Sequence, residues 1–260
     1  MILAVISILL YTSVFSVLVA ASLLTLLALL EFNRLTLLKI RDSRFDIIGI
    51  AAGTIVPPVL YFYGMASFLP VILGALFVFF FYGMFSGREL KDAAFEIAFK
   101  TLGIIYIAVP FSMLSSLKAM DAGEWWILFL FAVIWSNDTF AYITGKSFGR
   151  HKLCPSISPK KTIEGAIGGL AGGIVAAYLF DHFANLGLGP GKALILSVVL
   201  GCVGIIGDLS ESLLKRSAGV KDSGTIVPGH GGVLDRVDSL LFAIPALYFF
   251  LECQSRITGG

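Results

Sequence analysis

Two stretches of the chain collect the side chains able to do chemistry. The richer one reads Gly207-Asp208-Leu209-Ser210-Glu211-Ser212-Leu213-Leu214-Lys215-Arg216, then Lys221-Asp222, then Pro228-Gly229-His230-Gly231-Gly232-Val233-Leu234-Asp235-Arg236-Val237-Asp238. On a helix continuing from the apolar run before it, Asp208, Glu211 and Lys215 fall at i, i+3 and i+7, on one face. Asp235 and Asp238 are likewise three apart, at the start of the last apolar run. Carboxylates are hard oxygen ligands, and Mg²⁺ takes few of them, completing its octahedron with waters and substrate phosphates. Lys215, Arg216, Lys221 and Arg236 can neutralise the remaining phosphate charge. The pattern suits phosphoryl or nucleotidyl transfer, with Asp208, Asp235 and Asp238 as metal ligands and Lys215 as the catalytic cation beside them. In the turn Gly229-His230-Gly231-Gly232 the glycines let backbone N–H groups approach an anion closely, and His230 serves loop geometry or phosphate contact rather than a metal.

The second stretch begins inside an apolar run with Ser136-Asn137-Asp138 and continues through Lys146 to Ser158-Pro159-Lys160-Lys161-Thr162-Ile163-Glu164-Gly165. Pro159 bars a helix just before it, and Thr162 can cap the one that follows. Lysines at a helix N-terminus oppose the helix dipole, and an anionic ligand relieves that conflict. Plainer readings exist for several of these residues. Asp235 can serve as a helix cap only, and Lys215-Arg216 as a membrane-edge anchor only. Asp208 resists such a reading, because it follows fifteen apolar or small residues, 193–207, and an ionisable group at membrane depth is costly.

The elements that position these residues must be membrane helices. The chain is 57% hydrophobic and 14% charged, with a mean hydropathy of +0.92, which excludes a water-soluble fold. Apolar runs are continuous rather than alternating, which excludes a β-barrel. The runs lie at 1–30, 47–64, 66–85, 97–117, 125–144, 166–186, 193–207 and 239–251. An all-α, polytopic transmembrane helical bundle of about eight or nine spans is expected, the ninth arising if residues 1–30 form a hairpin. Met1 to Leu30 carries no charge and is read as retained membrane structure rather than a cleaved leader. Residues 1–120 form an N-terminal set of spans, and 121–260 a catalytic region with polar loops 145–165 and 208–238.

Basic residues accumulate on the cytoplasmic side. Connections 31–46, 86–96, 145–165 and 208–238 hold fifteen Lys and Arg, the intervening ones and the C-terminus three. Both polar loops are therefore expected on the cytoplasmic face. Gly168-Gly169, Gly172-Gly173, Gly201, Gly204 and Gly207 recur at short intervals and are read as close helix packing. Pro57-Pro58 and Pro110 are expected to kink their helices. The three cysteines have no paired spacing and suggest neither disulfides nor zinc.

The run Ser212-x-Leu214-Lys215-Arg216-x4-Lys221-Asp222-x-Gly224, then Pro228-x-His230-Gly231-Gly232-Val233-x-Asp235-Arg236-Val237-Asp238, closely resembles the pattern of the phosphatidate cytidylyltransferase family, over 27 residues. Val227 stands where that pattern has a bulkier Leu, Ile or Phe. The segment Ser158-Pro159-Lys160-Lys161-Thr162-x-Glu164-Gly165 resembles a second block of the same family. The resemblance covers roughly 130–250; before that only the hydrophobic architecture and Glu31 look similar. It implies CTP and phosphatidic acid as substrates, CDP-diacylglycerol and pyrophosphate as products, and a divalent cation, Mg²⁺ or another such as Mn²⁺. It also implies a homodimer among membrane lipids of the inner, cytoplasmic-type membrane, with no nucleic acid partner. Substrate contacts would come from Asn137, Asp138, Lys146, Ser158, Lys160, Lys161, Thr162, Glu164, Arg216, Lys221, Asp222, His230, Gly231, Gly232 and Arg236. A CTP-dependent lipid-alcohol kinase would use similar groups and differ in product. A transporter is a different class, opposed by the one-sided polar clusters and the lack of a repeat.

Overall fold

A computed structural model describes residues 12–35, 42–87, 89–224 and 231–258. Among the described residues ten helices run in order: α1 (Val14–Phe32), α2 (Ser43–Thr54), α3 (Val56–Tyr63), α4 (Phe68–Phe85), α5 (Leu90–Gly103), α6 (Val109–Lys118), α7 (Gly123–Phe148), α8 (Ile163–Ala184), α9 (Gly189–Ser217) and α10 (Leu234–Thr258). The fold is that of an all-α polytopic membrane protein. Among the described residues seven stretches are long and apolar enough to cross a membrane: Val14–Leu35, Ser43–Tyr63, Met65–Phe85, Lys91–Lys118, Gly123–Phe148, Ile163–Ala184 and Gly189–Ser217.

That number is below the expected eight or nine. The first expected run falls partly on residues 1–11, which lie outside the described residues. The last, 239–251, is about 20 Å long at 1.5 Å per residue, short of a roughly 30 Å hydrocarbon core. It forms the middle of α10, whose 25 residues are polar at both ends. A second difference lies in the loop 145–165. It contains a two-stranded antiparallel ribbon, β1 (Lys152–Cys154) against β2 (Ser158–Thr162), with Lys152 opposite Thr162 and Cys154 opposite Ser158. Pro159 is compatible with the short ribbon because it lies between the two paired positions of β2.

The chain separates into two compact units. One contains Ser13–Ser116 and Ser217–Arg236; the other contains Leu117–Arg216 and the residues from Val237 onward. The segment 217–236 thus belongs with the N-terminal unit. In that unit α2 is capped by Asp42, whose Oδ1 accepts from the N–H of Arg44 at 2.9 Å and of Phe45 at 3.3 Å. Pro57 and Pro58 sit in the first turn of α3, so the 43–63 span is broken into two helices at Ile55. Pro110 follows a π-helical turn, Ile104–Ala108, which re-satisfies backbone groups that a proline leaves unpaired. Phe32 stacks on Phe99 with centroids 4.4 Å apart, and Phe45 on Tyr82 at 4.9 Å. Inside this packing Lys100 is buried, ion-paired with Asp46 and donating to Asn33 Oδ1 at 2.8 Å.

In the other unit, α7 and α8 meet through glycines with no room for a side chain. A Cβ at Gly168 would lie 2.3 Å from Thr144 Oγ1, at Gly169 2.7 Å from the Asn137 carbonyl oxygen, and at Gly172 2.5 Å from the Phe140 ring. Helix α9 continues the pattern, since a Cβ at Gly201 would meet Leu170 at 2.6 Å and at Gly207 the Asp238 carbonyl oxygen at 2.5 Å. Backbones approach closely without a hydrophobic driving force in lipid because such residues leave space. At Gly207 this close approach has a direct consequence for the site: the neighbouring Asp208 is carried up to the first turns of α10.

Candidate active site

In the unit built from α7, α8, α9 and most of α10, Lys161 at the end of β2 reaches across to α9, its Nζ 2.5 Å from Asp208 Oδ2. The charge of Asp208 acts on both Asp138 of α7 and Asp238 of α10, and those of Asp138 and Lys161 act on Asp238. Four elements thus bring three carboxylates and one ammonium into one electrostatic cluster. Lys161 and Asp208 are each partly exposed, with side-chain exposures of 25% and 31%, so the pair is not sealed inside the protein. Beside Asp138 in sequence, Asn137 is buried, and its Oδ1 has no hydrogen-bond partner among the described residues.

Other residues expected to meet substrate shape the ribbon. Thr162 is buried and caps α8, its Oγ1 accepting from the Gly165 N–H at 3.1 Å. Glu164 accepts from the N–H of Arg150 at 3.1 Å and of His151 at 3.2 Å, and lies 2.6 Å from His151 Nδ1. Ser158 stands opposite Cys154 in the ribbon, and Arg216 donates through Nε to the Ile157 carbonyl at 3.4 Å. Lys215 is paired with Glu211 one turn back on α9 rather than with Asp208, and Glu211 is almost wholly buried. Lys160 and Lys146 are exposed, with Lys146 5.7 Å from the Tyr142 ring centroid.

Asp235 lies in the other unit, and its Oδ2 is heavily used. It accepts from the Ser223 N–H and Oγ, both at 3.0 Å, and from the Gly232 N–H at 2.8 Å. These donors all precede α10, whose Leu234 N–H goes to Glu31 instead, so the bonds tie the preceding segment to Asp235 rather than cap the helix, and the Gly232 N–H expected to face an anion is turned inward. Gly231 adopts φ +83, the left-handed conformation a glycine supplies without strain. Lys221, Asp222 and Arg236 are exposed. His230 lies outside the described residues.

Sequence reasoning gave no role to Glu31 or Ser223. Glu31 is wholly buried and accepts from the N–H of Val233 and Leu234, both at 2.9 Å, and from Ser223 Oγ at 3.1 Å. The signal was present: an acid placed directly after thirty uncharged residues must find donors or face water. Ser223 offers no such signal, since its importance comes only from bridging Glu31 and Asp235.

Among the described residues no group of three or more His, Cys, Asp or Glu side chains is arranged to hold a metal ion by protein ligands alone. The donor set nonetheless fits a cation of the Mg²⁺ type, which needs only one or two carboxylates beside phosphate oxygens. When ionised, Asp138, Asp208 and Asp238 outweigh Lys161 by two negative charges, which one divalent cation would balance.

A family model described as the cytidylyltransferase family matches residues 1–254. The chain belongs to this family. Over 161 residues it is 46% identical to a phosphatidate cytidylyltransferase of Bacillus subtilis, covering 62% of this chain and 60% of the relative. It is 43% identical over 156 residues to one from Staphylococcus saprophyticus, covering 60% and 59%. For one from Haemophilus influenzae the identity is 46% over 132 residues, covering 49% and 46%. In each case the matched stretch spans three fifths or less of the relative's own length.

Proposed function

We propose that this protein transfers the cytidylyl group of CTP to phosphatidic acid, giving CDP-diacylglycerol and pyrophosphate at the cytoplasmic face of the cell's inner membrane. The observation that carries this reading is the Lys161, Asp208 and Asp238 cluster at the polar ends of membrane helices in a chain of the cytidylyltransferase family. The names of the relatives supply the substrates, and the distribution of basic residues favours the cytoplasmic side. The resemblance in sequence favours a homodimer.

The phosphate monoester of phosphatidic acid has a second pKa near 6 by analogy with phosphorylated side chains, so at neutral pH it is already a largely anionic nucleophile. No strong general base is needed. Its oxygen attacks the α-phosphorus of CTP as the bond to pyrophosphate breaks, and the work of the protein is alignment and charge neutralisation. Asp208 and Asp238 would hold a divalent cation, with Asp235 three residues before Asp238 on the same helix as the further candidate. When bound, that cation supplies Lewis-acid charge stabilisation on the phosphates. Lys161 orients Asp208 in the free protein and turns to phosphate when substrate arrives. Lys160, Lys215, Arg216 and Lys221 carry the remaining positive charge toward the two substrates.

Incubating the purified protein in lipid–detergent micelles with CTP, phosphatidic acid and Mg²⁺ tests this directly. CDP-lipid with one pyrophosphate per turnover is expected. Phosphorylated lipid together with CDP, or no product at all, would sink the proposal.

A further inference from the structure

Glu31 ends the apolar part of α1, yet its hydrogen-bond partners lie about 200 positions away, at separations of 192, 202 and 203 residues. Its Oε1 accepts from Val233 N–H, and its Oε2 from Leu234 N–H and Ser223 Oγ. Val233 and Leu234 stand at the start of α10, where the first N–H groups have no helical partner and the dipole favours an anion. Val233 has no side-chain acceptor to cap that end itself. Two glycines make the space: a Cβ at Gly232 would lie 2.4 Å from Glu31 Oε2, and one at Gly224 2.7 Å from Oε1. Ser223 then passes the connection to Asp235, whose Oδ2 also takes the Gly232 N–H. One buried carboxylate from the N-terminal part of the chain thereby fixes both ends of the segment between Ser223 and Leu234.

We infer that Glu31 is a positioning residue for the transfer site. It touches no substrate, being wholly buried, but it ties the described stretches 221–224 and 231–236 to one another, so that Lys221, Asp222, Asp235 and Arg236 serve the phosphates. This rests on the cytidylyl-transfer reading above.

The test uses Glu31→Gln and Glu31→Asp in the full chain, purified in detergent, with turnover referred to the amount of folded protein. The isosteric amide sets an N–H against one of the three donors, and the shorter acid cannot span all of them. Each should lower kcat by about 10- to 100-fold, the worth of one hydrogen bond to a charged group. Amide hydrogen exchange should rise in 221–236 and stay at the wild-type level in α7 and α8. A kcat within about three-fold of wild type in both variants, or exchange rising throughout the chain in both, overturns the inference; the second outcome makes Glu31 a stability residue only. The exchange measurement needs no turnover. A wild-type protein that forms no CDP-lipid therefore sinks the functional reading while leaving the anchoring of the segment separately tested.

Discussion

Asp208 and Lys161 pair at 2.5 Å with a quarter to a third of each side chain exposed, and that exposure separates stability from function. An ion pair open to water is worth about 0–1 kcal/mol, whereas a group stabilising transition-state charge is worth about 10²–10³ in rate. Lys161→Ala and Asp208→Ala should therefore leave the thermal midpoint in detergent nearly unchanged while turnover falls by about 10²–10³; turnover close to wild type in either would remove that residue from the site. Asp235→Ala should behave differently. It deletes an acceptor of three hydrogen bonds, each worth about 1 kcal/mol or more, so both midpoint and turnover should drop. An Asp235→Ala protein with turnover within a few-fold of wild type would exclude it from the chemistry. The carboxylates were legible in the sequence by type and spacing. Their partners were not: Lys215 sits on Glu211 and Lys161 on Asp208, an exchange that depends on where the ribbon brings β2 alongside α9.

Helix α9 owes its place in the site to small residues. A methyl group at Gly207 would stand 2.5 Å from a backbone oxygen of Asp238, while one at Gly191 would meet nothing within 4 Å. Backbone cannot swing aside as a side-chain tip can, and overpacking of this kind costs about 1–3 kcal/mol. Gly207→Ala should shift α9 against α10 and reduce turnover by about tenfold or more, with Gly191→Ala indistinguishable from wild type. Equal behaviour of the two in a rate assay would refute the link between close packing and the placement of Asp208. The sequence showed the spans and the glycine spacing plainly, because lipid demands long apolar runs and close packing demands small residues. It did not show the ribbon 152–162, whose few residues carry no alternating pattern. Nor did it show that 217–236 belongs with the N-terminal unit, where Ser223, Val233 and Leu234 meet the buried Glu31, distant in sequence.

Seven stretches among the described residues are long and apolar enough to cross a membrane, and successive crossings would put the connections 86–96 and 145–165 on one side, so reporter tags inserted in both should report the cytoplasm; opposite sides would end the proposed orientation. The same arrangement bears on the reaction. A direct transfer needs CTP from the water and phosphatidic acid from the leaflet to meet at one α-phosphorus, the lipid oxygen entering opposite the departing pyrophosphate. A covalent route would need a nucleophile of the protein at that phosphorus instead. Among the described residues the charged side chains of the cluster are Asp138, Asp208, Asp238 and Lys161, and the lipid monoester, already largely ionised at neutral pH, gains little from a detour through any of them. Alignment and charge neutralisation suffice for phosphoryl chemistry of this type. One displacement inverts the configuration at phosphorus and two restore it. With CTP carrying a chiral α-thio group, the CDP-diacylglycerol formed should show inversion, whereas retention would require a nucleotidyl-enzyme intermediate and replace the direct mechanism with a two-step one.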